Sequence, residues 1–346
     1  MVVQGLGIYY TMRCNAACAH CGVWSSPDRK ERMELEQAKR YIGQLAALGQ
    51  AKGVIFVGGE PLLHLDDICE LVSYTRSFGI EAQVSTNAFW AGSDEKARLT
   101  IERLAGAGLN HLALSADSYH SEFIDPRNVG RALRVARDFG LVRKLQVITS
   151  RVHPEEAELY EATGIDPAEC IESREFKLKR RDPGFDPRRY VVVHRNSVAP
   201  FGRGAFLPDH AELLGLDDLE EFPCYMVRKF PLIYPNGDLY ACCCIAGFYR
   251  PYLVGNADAE PLGVLAERMA RNVVYEAISR VGPVALAKAC RTSGVQYGAE
   301  FANECHACRE TFARTDPSTL EQNARGLLYV YDLMSGAEET PFDLLV

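Results

Sequence analysis

Cys14, Cys18 and Cys21 stand near the start of the chain, separated by three and then two residues. Thiolates gathered in one loop bind soft metals, and three can hold three irons of a 4Fe-4S cubane while leaving the fourth iron open to an outside ligand. A protein that only carries electrons more usually supplies a fourth cysteine. Zinc is the plainer alternative, although its motifs favour pairs of cysteines a few residues apart.

A second group follows far downstream: Cys224, then Cys242, Cys243 and Cys244, then Cys305 and Cys308. Cys224, Cys242, Cys305 and Cys308 suffice for four thiolates, either an iron-sulfur cluster or a structural zinc. Only Cys69, Cys170 and Cys290 of the twelve cysteines lie apart. With no secretory pattern in residues 1–10, this clustering argues for metal chemistry in the cytoplasm rather than a disulfide framework.

The elements that must position these groups alternate along the first two hundred residues. Strand-like runs cover 6–11, 53–57, 80–86, 111–115, 144–149 and 190–194, and amphipathic stretches over 34–48, 66–78, 94–107 and 129–139 lie between them. The pattern predicts an α/β fold, a parallel sheet curled into a partial (β/α)6 TIM barrel over residues 1–208. Chemistry in such a sheet belongs at the C-terminal strand ends. There stand the cysteine loop, then Gly58, Gly59, Glu60 and Pro61, then Ser85 and Asn87, then Ser115. Beyond residue 208 the pattern predicts a smaller cysteine-rich lobe over 209–346. It opens with a hairpin (231–234 and 238–242) around Pro235-Asn236-Gly237, and a helical stretch over 261–289 follows.

Hydrophobic residues at 47% and charged residues at 24% are ordinary for a soluble globular protein, and no run is long enough to span a membrane. The net charge of −8 argues against nucleic acid, which needs a concentrated basic face.

The spacing of Cys14, Cys18 and Cys21 after the first strand, with Gly58-Gly59-Glu60-Pro61 after the second, resembles the radical S-adenosylmethionine (AdoMet) superfamily. The resemblance implies that an open iron binds AdoMet, that an electron cleaves its sulfonium, and that a 5′-deoxyadenosyl radical takes a hydrogen from the substrate. It implies an external one-electron reductant such as flavodoxin or ferredoxin. Glycines allow close backbone approach, and the Glu60 carboxylate can accept from the methionyl ammonium. His20 fills the position where the family places an aromatic residue against the adenine. Ser85, Asn87 and Ser115 are candidate ribose and carboxylate contacts, or simply satisfied strand ends. Arg203 is a candidate partner of the AdoMet carboxylate, or a surface arginine.

The second cysteine group resembles the twitch domain, the shortened form of the SPASM extension. That implies an auxiliary 4Fe-4S cluster on Cys224, Cys242, Cys305 and Cys308, hence two clusters in all. Residues 13–27, 86–91, 117–123, 237–244 and 305–312 are similar to the radical AdoMet peptide epimerases. In that family the hydrogen donor directly follows a cluster ligand, which here is Cys243. Adjacent strand residues face opposite ways, so Cys243 can look away from a cluster held by Cys242. A free cysteine is as often a small buried hydrophobe.

The same layout occurs in aminoglycoside-pathway enzymes, including dehydrogenases whose auxiliary cluster accepts an electron. The acidic balance would suit a polycationic aminoglycoside. Asp117, Tyr119 and His120, just beyond the fourth strand, are candidate substrate contacts or a catalytic base, or simply loop hydrogen-bonders. No leader-peptide recognition module stands out, which weighs against a peptide substrate. A non-catalytic iron-sulfur or zinc protein is the reading from another class.

Overall fold

The computed structural model describes residues 3–152, 156–210, 212–242, 249–298 and 300–335. Seven strands come first: β1 Gly5–Thr11, β2 Gly53–Gly58, β3 Glu81–Thr86, β4 His111–Ser115, β5 Val142–Thr149, β6 Cys170–Glu172 and β7 Val191–Ser197. Between them run α1 Leu35–Ala47, α2 Leu65–Ser77, α3 Asp94–Gly106, α4 Ser118–Ser121, α5 Pro126–Asp138, α6 Glu156–Thr163 and α7 Ser173–Lys179. The remainder holds β8 Leu232–Ile233, β9 Asp238–Tyr240, β10 Leu253–Asn256, α8 Leu262–Ala270, α9 Val273–Arg280, α10 Pro283–Thr292, α11 Glu304–Arg314 and α12 Pro317–Ser335.

All ten strands form one sheet in the order β10-β9-β8-β1-β2-β3-β4-β5-β7-β6. The pairs from β1 to β5, β5 with β7 and β7 with β6 are all parallel, which is the partial barrel expected from the alternating pattern. Three details differ from the sequence reading. Cys170–Glu172, in a stretch assigned no strand, pairs with β7 and extends the edge. The downstream hairpin continues the barrel sheet, because β8 pairs in parallel with β1 while pairing antiparallel with β9. The stretch 261–289 is three helices. The side chain of Asn272 caps α9, and Gly282 at φ +122° followed by Pro283 forces a new start at α10.

Period-two alternation explains which residues make the core. Leu6, Ile8 and Tyr10 of β1, Val54 and Phe56 of β2, and Ala82 and Val84 of β3 have no exposed surface and pack in the main core with Tyr41, Ile42 and Leu45 of α1. The intervening positions face the barrel lumen. On β2 to β5 these are Ile55 and Val57, Gln83 and Ser85, His111 and Ser115, and Lys144 and Gln146, all partly exposed. On β1 they are Gly5 and Gly7, buried against the neighbouring segment: a Cβ on Gly5 would meet Phe230 Cε1 at 2.0 Å, and one on Gly7 would meet Leu232 Cδ2 at 2.3 Å. Tyr9 next along stacks on Tyr234, with ring centroids 4.9 Å apart and planes 4° from parallel. Among the described residues no helix is long and apolar enough to cross a membrane.

Candidate active site

The loop after β1 is held by three neighbours. Gly59 N donates to Thr11 O at 2.7 Å and Glu60 N to Arg13 O at 2.8 Å, so the β1 and β2 loops are zipped backbone to backbone. The glycines are required for that approach. A Cβ on Gly58 (φ +144°) would lie 2.1 Å from Thr11 O, and one on Gly59 would lie 2.1 Å from Arg13 O and 2.9 Å from Cys14 N.

Glu60 extends the clamp to the third strand. It has no exposed surface, and its carboxylate accepts from Leu62 N at 2.9 Å and Asn87 N at 2.8 Å. Burial pushes its pKa up to about 7 against the opposing pull of these amides. Asn87 Nδ2 then donates to Asn15 Oδ1 at 2.9 Å and lies 3.7 Å from Cys14 Sγ.

Arg203 closes the other side. Its Nε donates to Cys18 O and its Nη2 to Ser25 O, each at 2.8 Å, and its own N–H donates to Cys21 O at 3.0 Å. Two of its three guanidinium nitrogens are thus committed to the cysteine loop, so Arg203 is neither a surface arginine nor wholly available to a ligand carboxylate. Pro61 is buried at the start of the short helical turn that Glu60 caps.

Cys14 and Cys18 are buried with Ala16, Tyr119 and Val198, and Cys21 is partly exposed. Burial, with Cys21 adding repulsion, pushes the Cys14 thiol up to about 12, and Cys18 shifts the same way. Three thiols within electrostatic reach of one another, two of them buried, on a loop clamped from three directions, suit a soft metal cluster that would bind them as thiolates.

Beside the loop lies a group of titratable side chains. Asp117 Oδ1 caps α4 by accepting from His120 N at 3.0 Å, while its Oδ2 lies 2.8 Å from His120 Nδ1. Burial alone would lift the Asp117 carboxyl, but His120 and His20 outweigh it and bring it below the usual carboxylate value. Burial likewise opposes charge on His120, yet Asp117 raises its pKa above the ordinary imidazole value.

The His20 ring centroid lies 4.9 Å from that of Tyr119, with the planes tilted by 42°, and 5.0 Å from that of His120, edge to face, and burial lowers the His20 pKa to about 4. Its Nδ1 is buried without a partner. Ligand atoms of His20, Asp117 and His120 come within 4.8 Å of one another. The Tyr119 hydroxyl, beside this group, lies 2.7 Å from His210 Nδ1.

The second cysteine set comes together from distant segments. Tyr252 lies 3.1 Å from Cys308 Sγ through its hydroxyl, and burial pushes that phenol well up, with Cys308, Cys242 and Cys305 adding to the shift. Cys224 is tied by its N–H to Ile278 O of α9 at 3.0 Å, and Tyr275 of the same helix is within electrostatic reach of Cys242 and Cys308. Tyr252 is a residue that sequence reasoning missed, since nothing in its spacing marks it. Cys243, the candidate hydrogen donor, lies outside the described residues, as does Cys244.

A parallel half-barrel whose first strand feeds a clamped three-thiolate loop defines the class. Residues 8–158 match the radical SAM superfamily, and the chain carries a radical SAM domain, which implies AdoMet and a 4Fe-4S cluster. One relative is YydG of Bacillus subtilis (strain 168), provisionally named a peptide biosynthesis protein, 28% identical over 40% of this chain and 44% of its own. Another is the Fe-coproporphyrin III synthase of Methanosarcina barkeri (strain Fusaro / DSM 804), 32% identical over 31% of this chain and 25% of its own. The chain therefore spans less than half the length of these curated relatives. Among solved structures, Streptococcus suis SuiB bound to S-adenosylmethionine aligns over 75% of this chain and 64% of its own, at 17% identity and a TM-score of 0.49.

Proposed function

We propose that the protein is a radical AdoMet epimerase that inverts a C–H stereocentre in a peptide. The observation that carries the reading is the gathering of Cys242, Cys305 and Cys308 around Tyr252, at the end of β9 and two strands from the cysteine loop of β1. With Cys224 these are four soft donors suited to an auxiliary cluster, and Cys243 follows Cys242 directly in the chain.

When bound, AdoMet and the Cys14/Cys18/Cys21 cluster would supply the one-electron chemistry that generates a hydrogen-abstracting radical. The rest falls to the chain. Cys14, Cys18, Cys21 and the clamp of Glu60, Asn87 and Arg203 hold the cofactor end. His20 and Tyr119 offer ring faces beside it, and Ser85 and Ser115 offer hydroxyls from the lumen wall. Asp117 holds His120 Nδ1 and leaves Nε2 for a substrate polar group or proton. The Cys243 thiol returns a hydrogen atom to the opposite face of the substrate carbon. The resulting thiyl is restored by one electron from an external carrier of the flavodoxin or ferredoxin type and one proton.

Dehydrogenation of an aminoglycoside is the rival. The acidic net charge suits a polycation, but the lumen itself presents Lys144, with the cations Arg180 and Lys177 within electrostatic reach. Like charges repel across a low-dielectric cavity, which favours a substrate that is not polycationic. The peptide biosynthesis assignment of YydG points the same way.

The test is to reconstitute the chain anaerobically with iron and sulfide, reduce it with dithionite, and present AdoMet and a library of short peptides in D2O. About eight irons per chain, formation of 5′-deoxyadenosine and one deuterium on an inverted carbon are the expected results. Cys243→Ala should abolish deuterium incorporation while sparing AdoMet cleavage. A product two hydrogens lighter with no deuterium would establish a dehydrogenase instead.

A further inference from the structure

The lumen below the cysteine loop is lined by polar side chains, of which only Ser85 and Ser115 enter the proposed function. On β3 these are Glu81, Gln83 and Ser85, on β4 His111 and Ser115, and on β5 Lys144 and Gln146. All are partly exposed, whereas Ala82, Val84, Leu112, Leu114 and Leu145 between them have no exposed surface. The lining is therefore not the apolar packing of a filled barrel, although Ala113, paired with Lys144, has no exposed surface.

Across its floor Lys144 Nζ donates to Gln83 Oε1 at 2.6 Å. The carboxylate within electrostatic reach, Glu81, is already engaged with His111 Nε2 at 3.0 Å, and the other charged neighbours of Lys144 are the cations Arg180 and Lys177. Lys144 is thus an enclosed ammonium whose hydrogen-bonding partner is a neutral amide. Glu81 offsets part of that charge through space, but its hydrogen bond goes to His111, and a buried ammonium gains most from an anion in direct contact. Burial, with Arg180 and Lys177 adding to it, lowers its pKa to about 8, so most of the charge remains at neutral pH.

Its position suits a substrate contact. Gln83 of β3 precedes Asn87, the first residue past that strand, by four residues, and Asn87 Nδ2 is 3.7 Å from Cys14 Sγ. At strand rise the floor lies about 13 Å below the cysteine loop. That leaves room for a short carbon chain between an anchored group and the radical-generating end.

We infer that Lys144 and Gln83 form a subsite for a carboxylate of the substrate, such as an acidic side chain or a peptide C-terminus. One ammonium and one amide NH2 match a monoanion, whereas a phosphate dianion would call for more donors. The inference rests on the lumen being where the proposed epimerase holds its substrate, and it adds that this substrate is acidic at a set distance from the inverted carbon.

Amine-labelling mass spectrometry on the full chain, reconstituted with iron and sulfide, tests this without turnover. Formaldehyde and cyanoborohydride at pH 7.5 should methylate Lys144. Acetate or glutarate should protect it saturably, at least fivefold, while exposed Lys30 and Lys52 label as before. Acetamide, the neutral analogue, should not protect. Gln83→Leu keeps the charge and should weaken protection at least threefold.

Equal protection by acetamide, no protection by any anion, or a Lys144 that does not label at all would overturn the subsite. Protection by inorganic phosphate alone would overturn the carboxylate assignment in favour of a phosphorylated substrate. Because labelling needs no AdoMet cleavage, the subsite can fail while deuterium incorporation still supports the epimerase, and the reverse.

Discussion

Asp117 Oδ1 accepts from the His120 amide at 3.0 Å while its Oδ2 lies 2.8 Å from the His120 imidazole Nδ1, so one buried carboxylate both starts helix α4 and orients the ring. Loop conformation and imidazole charge are thereby coupled at the edge of the candidate active site.

Asp117→Asn keeps a capping oxygen but removes the charge. The His120 pKa, raised in the native protein, should fall below its ordinary value because burial is then unopposed. A raised histidine pKa contributes stability that is full below the unfolded value and is lost as pH rises through the folded one. The native chain should therefore lose stability over that interval and the Asn variant should not. Histidine NMR titration of the metal-free chain, with urea unfolding across pH 5–9, checks both. Asp117→Ala, which also removes the cap, should cost about 3 kcal/mol or more.

Arg203→Met should release the cysteine loop. Charge-assisted hydrogen bonds contribute about 1.5–3 kcal/mol each, and Arg203 makes two such bonds to loop carbonyls through its side chain. The expected result is at least a severalfold loss of iron retained at the Cys14/Cys18/Cys21 site, with circular dichroism unchanged. Full iron retention would show that the loop is positioned without it.

Gly7→Ala places a methyl 2.3 Å from Leu232 Cδ2 and should destabilise by about 1–3 kcal/mol. Leu232→Ala should relieve part of that cost, giving a measurable coupling in a double-mutant cycle read by urea unfolding. Gly5→Ala should be harsher and resist rescue by Phe230→Ala, because its Cβ also falls 2.6 Å from the backbone oxygen of Gly53.

Lys144 makes stability rise in alkali. Its folded pKa, about 8, lies below the unfolded 10.5, so between those values the unfolded chain binds the extra proton and unfolding becomes harder as pH increases. A depression of that size corresponds to about 3 kcal/mol. Lys144→Met should be more stable than the native chain below pH 8, with the advantage shrinking towards pH 10.5. A constant difference across pH 7–10.5 would show that the ammonium is not buried in the way described.

Much of this was legible in the chain. The strand positions, the cysteine loop, the Gly58-Gly59-Glu60-Pro61 turn and the downstream hairpin followed from period-two alternation, turn chemistry and thiolate spacing, all of which act over a few residues. Alternation also put Gln83 and Lys144 on a common parity with Ser85 and Gln146, but parity does not say which face is the lumen.

The tertiary structure alone decided what distant residues do to one another. Arg203 could be read as a ligand contact or a surface charge until packing placed it on Cys18 O and Ser25 O. Glu60 was read as a ligand acceptor, and the folded chain makes it a buried clamp on Asn87. Phe230 and Leu232 required glycines at positions 5 and 7 only because β8 lies beside β1. Contacts between residues as far apart in sequence as Gly7 and Leu232 depend on sheet order and loop closure, and no local spacing encodes either. By itself the sequence determined which donors exist and what chemistry they favour. Folding determined which of them meet, because that is set by strand order, by the close backbone approaches glycine allows, and by where buried charge finds a partner.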